Sequence, residues 1–135
     1  MGTIRIAEPQ DESWLARLER HVSPDRLRLL LEQGCVYVLE DEGRPAGWLR
    51  YGYLWDTIPF LNLLFVLEEY RGREYGTRLT ARWEEDRRRE GFRYVMVSTQ
   101  AGEPSQHFYR RLRYTDQGGV FPPEEPWELI LMKAL

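Results

Sequence analysis

An α+β fold is what this sequence predicts: a mixed, twisted sheet of about seven strands with helices on both faces. Three observations predict it. Strand-like and helix-like periods alternate along the whole chain in the order β-α-α-β-β-β-α-β-α-β-β. The run Phe60–Val66 is apolar except for Asn62, as a central strand buried on both faces would be. A helix and then a β-branched, aromatic strand over Tyr94–Val97 come after it, which is the sequence of a right-handed parallel crossover. The length, 135 residues, fits one domain over 1–135 with its own core.

Thr3–Ala7 is a first strand with Ile4 and Ile6 inward, and Asp11 or Ser13 starts a helix with Trp14, Leu15 and Leu18 on one face. Ser23 caps a second helix with Pro24 at its first position, a stripe of Leu27, Leu30 and Leu31, and Gly34 at its end. Cys35–Leu39 and Ala46–Leu54 are strands joined by a turn over Asp41–Pro45, and Trp55–Pro59 is a loop leading to the central strand. Beyond that strand, Leu79 and Trp83 mark the buried face of a long, charged helix that ends at Gly91, with Arg87, Arg88 and Arg89 where the helix dipole favours cations. After the strand at Tyr94–Val97, Ser98–Glu103 is a loop, and Pro104 starts a short helix carrying Ser105, Phe108, Tyr109 and Leu112. Tyr114–Gln117 is a strand, Gly118–Pro126 a loop and Trp127–Met132 the last strand.

Composition excludes several classes. A net charge of −3 leaves no general basic face for nucleic acid. A single cysteine, Cys35, forms no internal disulfide; it fits a reducing cytoplasm and reads as a small buried hydrophobe. No apolar run reaches membrane length, no signal-peptide h-region is present, and Ile6 stands where a myristoylation signal needs Ser or Thr. The expectation is a cytoplasmic protein that engages neither membrane nor nucleic acid. No group of residues has metal-ligand spacing. A homodimer is compatible with the sequence.

The chemistry concentrates after the central strand. Tyr70-Arg71-Gly72-Arg73-Glu74-Tyr75-Gly76 is a basic, glycine-containing turn opening a helix, and such a turn aims unpaired amides at an anion. With Arg71 and Arg73 at its mouth, that anion is expected to be a phosphate or pyrophosphate.

This turn resembles the acetyl-CoA motif of the GCN5-related N-acetyltransferases (GNAT), Arg/Gln-x-x-Gly-x-Gly/Ala after a strand ending in valine. Arg71 and Gly76 match its ends, whereas Glu74 replaces the first glycine and Glu68 a common proline. A second family signature, Phe-Tyr-x-x-x-Gly-Phe/Tyr, is met by Phe108–Tyr114 with Arg113 in place of the glycine. The resemblance implies an acetyl-CoA N-acyltransferase-like fold with a cleft where the two parallel central strands part. It implies direct transfer of an acetyl group from acetyl-CoA, as co-substrate, to a primary amine. Its pyrophosphate cradle would be Arg71, Gly72, Arg73, Glu74, Tyr75, Gly76 and Thr77. The main chain of Phe65, Val66 and Leu67 would pair with the pantetheine arm, and Tyr109 would sit beside the cofactor sulfur as proton donor.

Direct transfer requires no covalent intermediate, so the lack of a Ser-His-Asp or reactive-cysteine arrangement is no obstacle. For the general base, Asp56 and Glu68 are candidates, with His21 a weaker one. Trp55, Asp56 and Asn62 are assigned to the acceptor, Asn62 because a polar residue in an apolar strand needs a partner. With the aromatic strand Trp48–Tyr53 they suit a cationic small molecule or a lysine side chain. Glu74 has two readings: facing solvent it is harmless, facing the amides it occupies the anion site. The departures at Glu68, Glu74 and Arg113 support an alternative, a catalytically degenerate domain of the same fold that binds CoA or another protein.

Overall fold

Two tight hairpins and one parallel crossover set the topology of the computed structural model, which describes residues 2–135. The strands are β1 (Gly2–Ile6), β2 (Val36–Asp41), β3 (Arg44–Leu54), β4 (Ile58–Val66), β5 (Tyr94–Gln100), β6 (Thr115–Val120) and β7 (Glu128–Ala134). The helices are α1 (Glu12–Leu18), α2 (Pro24–Glu32), α3 (Tyr75–Arg89) and α4 (Ser105–Arg111), with short 3-10 turns at Pro9–Asp11 and Glu68–Tyr70. The strands form one mixed sheet in the order β1-β2-β3-β4-β5-β7-β6, with β4 and β5 parallel as predicted.

Both hairpins are tighter than the expected loops. Glu42 and Gly43 take φ of +51° and +78°, the two left-handed central residues of a type I′ turn, whose twist matches the strands it joins. Strand pairing therefore reaches Asp41↔Arg44, and a bulge between Leu39 and Glu40 accommodates Pro45, which has no amide to donate. Trp55 (φ +53°) and Asp56 (φ +61°) repeat the device, with the Thr57 amide donating to Leu54 O at 3.1 Å. The expected loop Trp55–Pro59 thus shrinks, and β4 begins at Ile58, which is buried with Pro59.

Elsewhere pairing lengthens strands. β5 continues to Gln100 because β7 pairs with it from Tyr94↔Ala134 to Gln100↔Glu128. β6 runs on to Val120 through a bulge at Gln117, between the pairs Asp116↔Leu131 and Gly118↔Ile130. The expected loop Gly118–Pro126 starts correspondingly later.

The chain forms two compact units. One holds the residues up to Arg50 with Leu63–Thr80, the other Tyr51–Asn62 with Ala81–Leu135. In the first, Val36, Val38 and Leu39 on β2, Leu15 on α1, Leu27 and Leu30 on α2, and Leu79 on α3 are buried. Helix α2 is built as predicted: Ser23 Oγ accepts the Arg26 amide at 3.2 Å, and Gly34 closes the helix at φ +72°. Helix α1 differs from expectation. Leu18 is 40% exposed, whereas the next residue, Glu19, is 5% exposed, because the chain leaves the helix there in an extended conformation. Ile6, expected inward, is exposed at the end of edge strand β1. Asp11 ties β1 to α1: its carboxylate accepts both Arg5 terminal nitrogens (2.7 and 2.9 Å), the Glu8 amide and Trp14 Nε1. The Arg5 contact holds its carboxyl down to about 2.

In the second unit Leu61, Trp83, Val95, Val97, Tyr109, Tyr114 and Leu131 are buried. Helix α3 ends on Gly91 (φ +98°), with the Phe92 amide donating to Arg87 O and the Gly91 amide to Arg88 O, a Schellman closure.

Candidate functional site

The end of β4 is less covered than its sequence predicts. β4 registers against β5 at Phe60↔Met96 and Leu61↔Val97, within the second unit. In the first unit, Phe65 is exposed, and Leu63, Leu64 and Val66 are only half-buried. A fully apolar strand end left partly open is one that can receive an apolar ligand. Its other side is held: the Leu67 amide donates to Ala46 O at 2.8 Å, and at Gly47 a Cβ would lie 2.7 Å from Phe65 O, so only glycine allows that approach. Of the three residues assigned to the pantetheine arm, Leu67 therefore has its N–H engaged and Val66 its C=O, the latter by Arg71 Nε at 2.9 Å.

The turn after β4 positions each candidate differently. Arg71 lies over the Phe65 ring, 5.5 Å from its centroid. Arg73 Nη1 and Tyr75 Oη both donate to Asp41 Oδ2, at 2.8 and 2.6 Å, fastening the turn to the end of β2. The Tyr75 hydroxyl in turn holds the Asp41 carboxyl below the usual carboxylate range. Gly72 takes φ +80° in open space, with no heavy atom within 4 Å of where a Cβ would stand. Glu74 sits at φ +61°, the left-handed conformation that a glycine would adopt without strain. Its side chain is exposed and has no partner among the described residues. Its carbonyl accepts the Arg78 amide at 3.0 Å, which makes Glu74 the N-cap of α3. The amides of Tyr75, Gly76 and Thr77 have no acceptor among the described residues. Three open amides at the start of a 15-residue helix, beside Arg71, fit a pyrophosphate.

Tyr109 lies in the second unit, on α4. Its ring is 6% exposed and packs edge-on against Phe108 and Tyr114, at centroid distances of 5.1 and 5.6 Å. Among the described residues the hydroxyl has no hydrogen-bond partner, yet its oxygen is not fully enclosed and keeps contact with solvent. Burial pushes the phenol's pKa well up, so it stays protonated at physiological pH. Arg113, the second replaced glycine, takes φ +77° and closes α4. The Tyr114 amide donates to Tyr109 O and the Arg113 amide to Arg110 O, both at 3.0 Å. The two residues that stand in place of the pattern's glycines, Glu74 and Arg113, thus both take the left-handed conformation that glycine adopts without strain.

The residues assigned to the acceptor lie at the surface. Trp55 is 77% exposed, with Asp56, at a hairpin tip; Asn62 is exposed and has no protein hydrogen-bond partner among the described residues. Glu68, His21 and His107 are exposed as well. Sequence reasoning missed Glu19 and Arg50. The Glu19 carboxylate accepts Trp48 Nε1 at 2.9 Å, the His21 amide at 3.2 Å and Arg50 Nη2 at 3.4 Å. Trp48 stands between Trp14 and Phe65, with centroid distances of 5.9 and 5.1 Å. The only sequence signal was the spacing Asp11-Leu15-Glu19, a helical stripe carrying two charges.

The mixed sheet, the parallel step from β4 to β5 and the basic turn that opens α3 set the architecture in which the comparisons are to be read. The family is specific: residues 4–114 match the model of the Acetyltransferase (GNAT) family, and the chain belongs to that family of acetyl-CoA-dependent N-acetyltransferases. Solved structures of the same fold include Ard1 from Thermoplasma volcanium (TM-score 0.86, 16% identity, covering 99% of this chain and 97% of that one). A ribosomal-protein-alanine N-acetyltransferase from Brucella melitensis gives a TM-score of 0.83 at 20% identity, covering 98% and 99%. The Drosophila melanogaster polyamine N-acetyltransferase gives 0.83 at 14%, with both chains covered entirely. At these identities the likeness is one of fold. No curated protein sequence matches the chain.

Proposed function

We propose that this protein binds acetyl-CoA at the turn before α3 and transfers the acetyl group directly to a primary amine. The observation that carries the reading is the open set of amides at Tyr75, Gly76 and Thr77 beside Arg71. Acetyl-CoA supplies the activated acyl group as a thioester. The amides and the helix dipole bind its pyrophosphate, with Arg71 adding charge. Arg73 and Tyr75 act one step back, holding the turn against Asp41. The partly open end of β4 lies along the pantetheine arm, and Tyr109 donates the proton that the leaving thiolate takes up. Its unpartnered hydroxyl supports that role, since no protein acceptor competes for the proton. The degenerate alternative draws on Glu74 and Arg113. The left-handed, glycine-compatible backbone at both positions and an exposed Glu74 weigh against it.

The test is thermal. A ligand at about a hundred times its Kd adds about 2.7 kcal/mol to the native state. For a chain this long, acetyl-CoA and CoA should each raise the melting temperature by roughly 10 °C, with adenosine doing little. Arg71→Ala should shrink the shift, most at low ionic strength. No shift at millimolar acetyl-CoA would remove the reading.

A further inference from the structure

Arg50 is a buried charge that its surroundings leave poorly matched. It points from β3 to the same side as Trp48, and its side chain is 8% exposed. A guanidinium buried this deeply is normally matched donor for donor, because each unmet donor costs desolvation. Here the one side-chain hydrogen bond among the described residues is Nη2 to Glu19 Oε1 at 3.4 Å, long for a charge-assisted bond. Nε is fully enclosed without a partner. Nη1 has no partner among the described residues either, but it is not enclosed, so it faces a space that solvent reaches. Glu19 meanwhile is well satisfied by Trp48 and the His21 amide. The pair is therefore lopsided: an occupied carboxylate beside a guanidinium with an open, outward donor.

We infer that Arg50 binds a carboxylate of the acceptor, so that the amine acetylated by this protein is an amino-carboxylate such as an amino acid. The inference rests on the acetyl-transfer reading above and narrows its substrate class. The surroundings suit such an acceptor. Phe65, exposed near the end of β4, supplies aromatic surface, and Trp48, buried beneath it on the same side of β3 as Arg50, backs its ring. Charge balance points the same way. Arg50 and Glu19 cancel, so a purely cationic amine would add an uncompensated charge next to a guanidinium. A zwitterion adds none and satisfies the open donor. Arginine, with its planar fork, is also the side chain that matches a carboxylate in two places.

The experiment compares amino acids with their own amides as acceptors, monitoring thiol release from acetyl-CoA. Amidation lowers the pKa of the neighbouring amine and makes it more reactive at neutral pH. A preference for the acid must then come from the protein. Loss of a hydrogen bond to a charged group corresponds to roughly ten- to a hundredfold, so kcat/KM should favour the best amino acid over its amide by that factor. In Arg50→Gln, and to a lesser degree in Arg50→Lys, the preference should collapse towards unity while the acetyl-CoA melting shift stays as in the wild type. Equal use of acids and amides by the wild type overturns the assignment and leaves acetyl transfer standing. So does a folded Arg50 variant that keeps the preference. Loss of the acetyl-CoA shift in Arg50→Gln would mean that the guanidinium serves the donor instead, and overturns it too. If no acceptor is turned over, titration with N-acetyl amino acids read by tryptophan fluorescence decides. Saturable, Arg50-dependent quenching upholds the carboxylate site without acetyl transfer, and its absence overturns the site.

Discussion

Helices α3 and α4 end in the same hydrogen-bonded closure, yet one uses Gly91 and the other Arg113. A side chain in the left-handed region costs about 1–2 kcal/mol relative to glycine, so α4 carries strain that α3 does not. The difference lies in the residue next to each cap. After Gly91 comes Phe92, half-buried, whose ring contacts Tyr53 at 5.9 Å. After Arg113 comes Tyr114, 2% exposed, packed on Tyr109 and donating its hydroxyl to Glu84 at 2.7 Å. Glu84 is itself held by Lys133 at 2.8 Å. A closure can dispense with glycine where the next side chain is anchored strongly enough to hold the backbone in place. The anchored residue here packs against the proposed proton donor, so the strained cap and Tyr109 form one assembly.

Four substitutions probe that contrast, in falling order of effect. Tyr109→Phe removes the hydroxyl from the α4 assembly and nothing else. It should cut the chemical step by about 10²–10⁴, lowering kcat and kcat/KM together. Since the hydroxyl has no protein partner, the melting curve should hardly move. Unchanged turnover would leave Tyr109 a packing residue. Tyr114→Ala takes away the anchor, and chemical denaturation should show a loss of about 3–5 kcal/mol, the usual cost of emptying a buried aromatic site. A loss near 1 kcal/mol would show that the cap holds itself. Gly91→Ala imposes on α3 the strain that α4 already bears; a loss of about 1 kcal/mol is expected, and none at all would mean that the closure tolerates any residue. Arg113→Gly does the reverse. It should stabilise by only about 0.5 kcal/mol, because glycine's extra freedom in the unfolded chain offsets most of the relieved strain. A destabilised Arg113→Gly would show that the arginine side chain contributes something beyond its backbone.

Much of the fold was legible because apolar periods and caps are local signals. Ser23, Pro24 and Gly34 delimit α2 within a residue or two, and Leu79 with Trp83 marks the buried face of α3. The hairpin at Trp55-Asp56 was not legible, since a bulky tryptophan rarely takes the left-handed conformation, which aspartate tolerates, and no glycine marks the turn. The donor turn could be read because its glycine and arginine spacing is itself local. Glu19 and Arg50 could not. They lie 31 residues apart, and each looks like an ordinary surface charge until the fold buries them together. Arg73 and Tyr75 show the same limit: the spacing placed them in the cradle, and only the fold reveals Asp41 as their shared acceptor.

The bulge in β6 has a consequence for how the protein behaves when crowded. β6 is the last strand of the sheet, and its six residues are all exposed, which offers an unpaired rim to any neighbouring chain. The extra residue at Gln117, with Gly118 at φ +137°, breaks that rim into two pieces too short to template a continuous intermolecular ladder. Asp116 adds a charge at the break, paired to Arg110 at 2.8 Å. Straightening the strand by deleting Gln117 should therefore lower the concentration at which the protein aggregates.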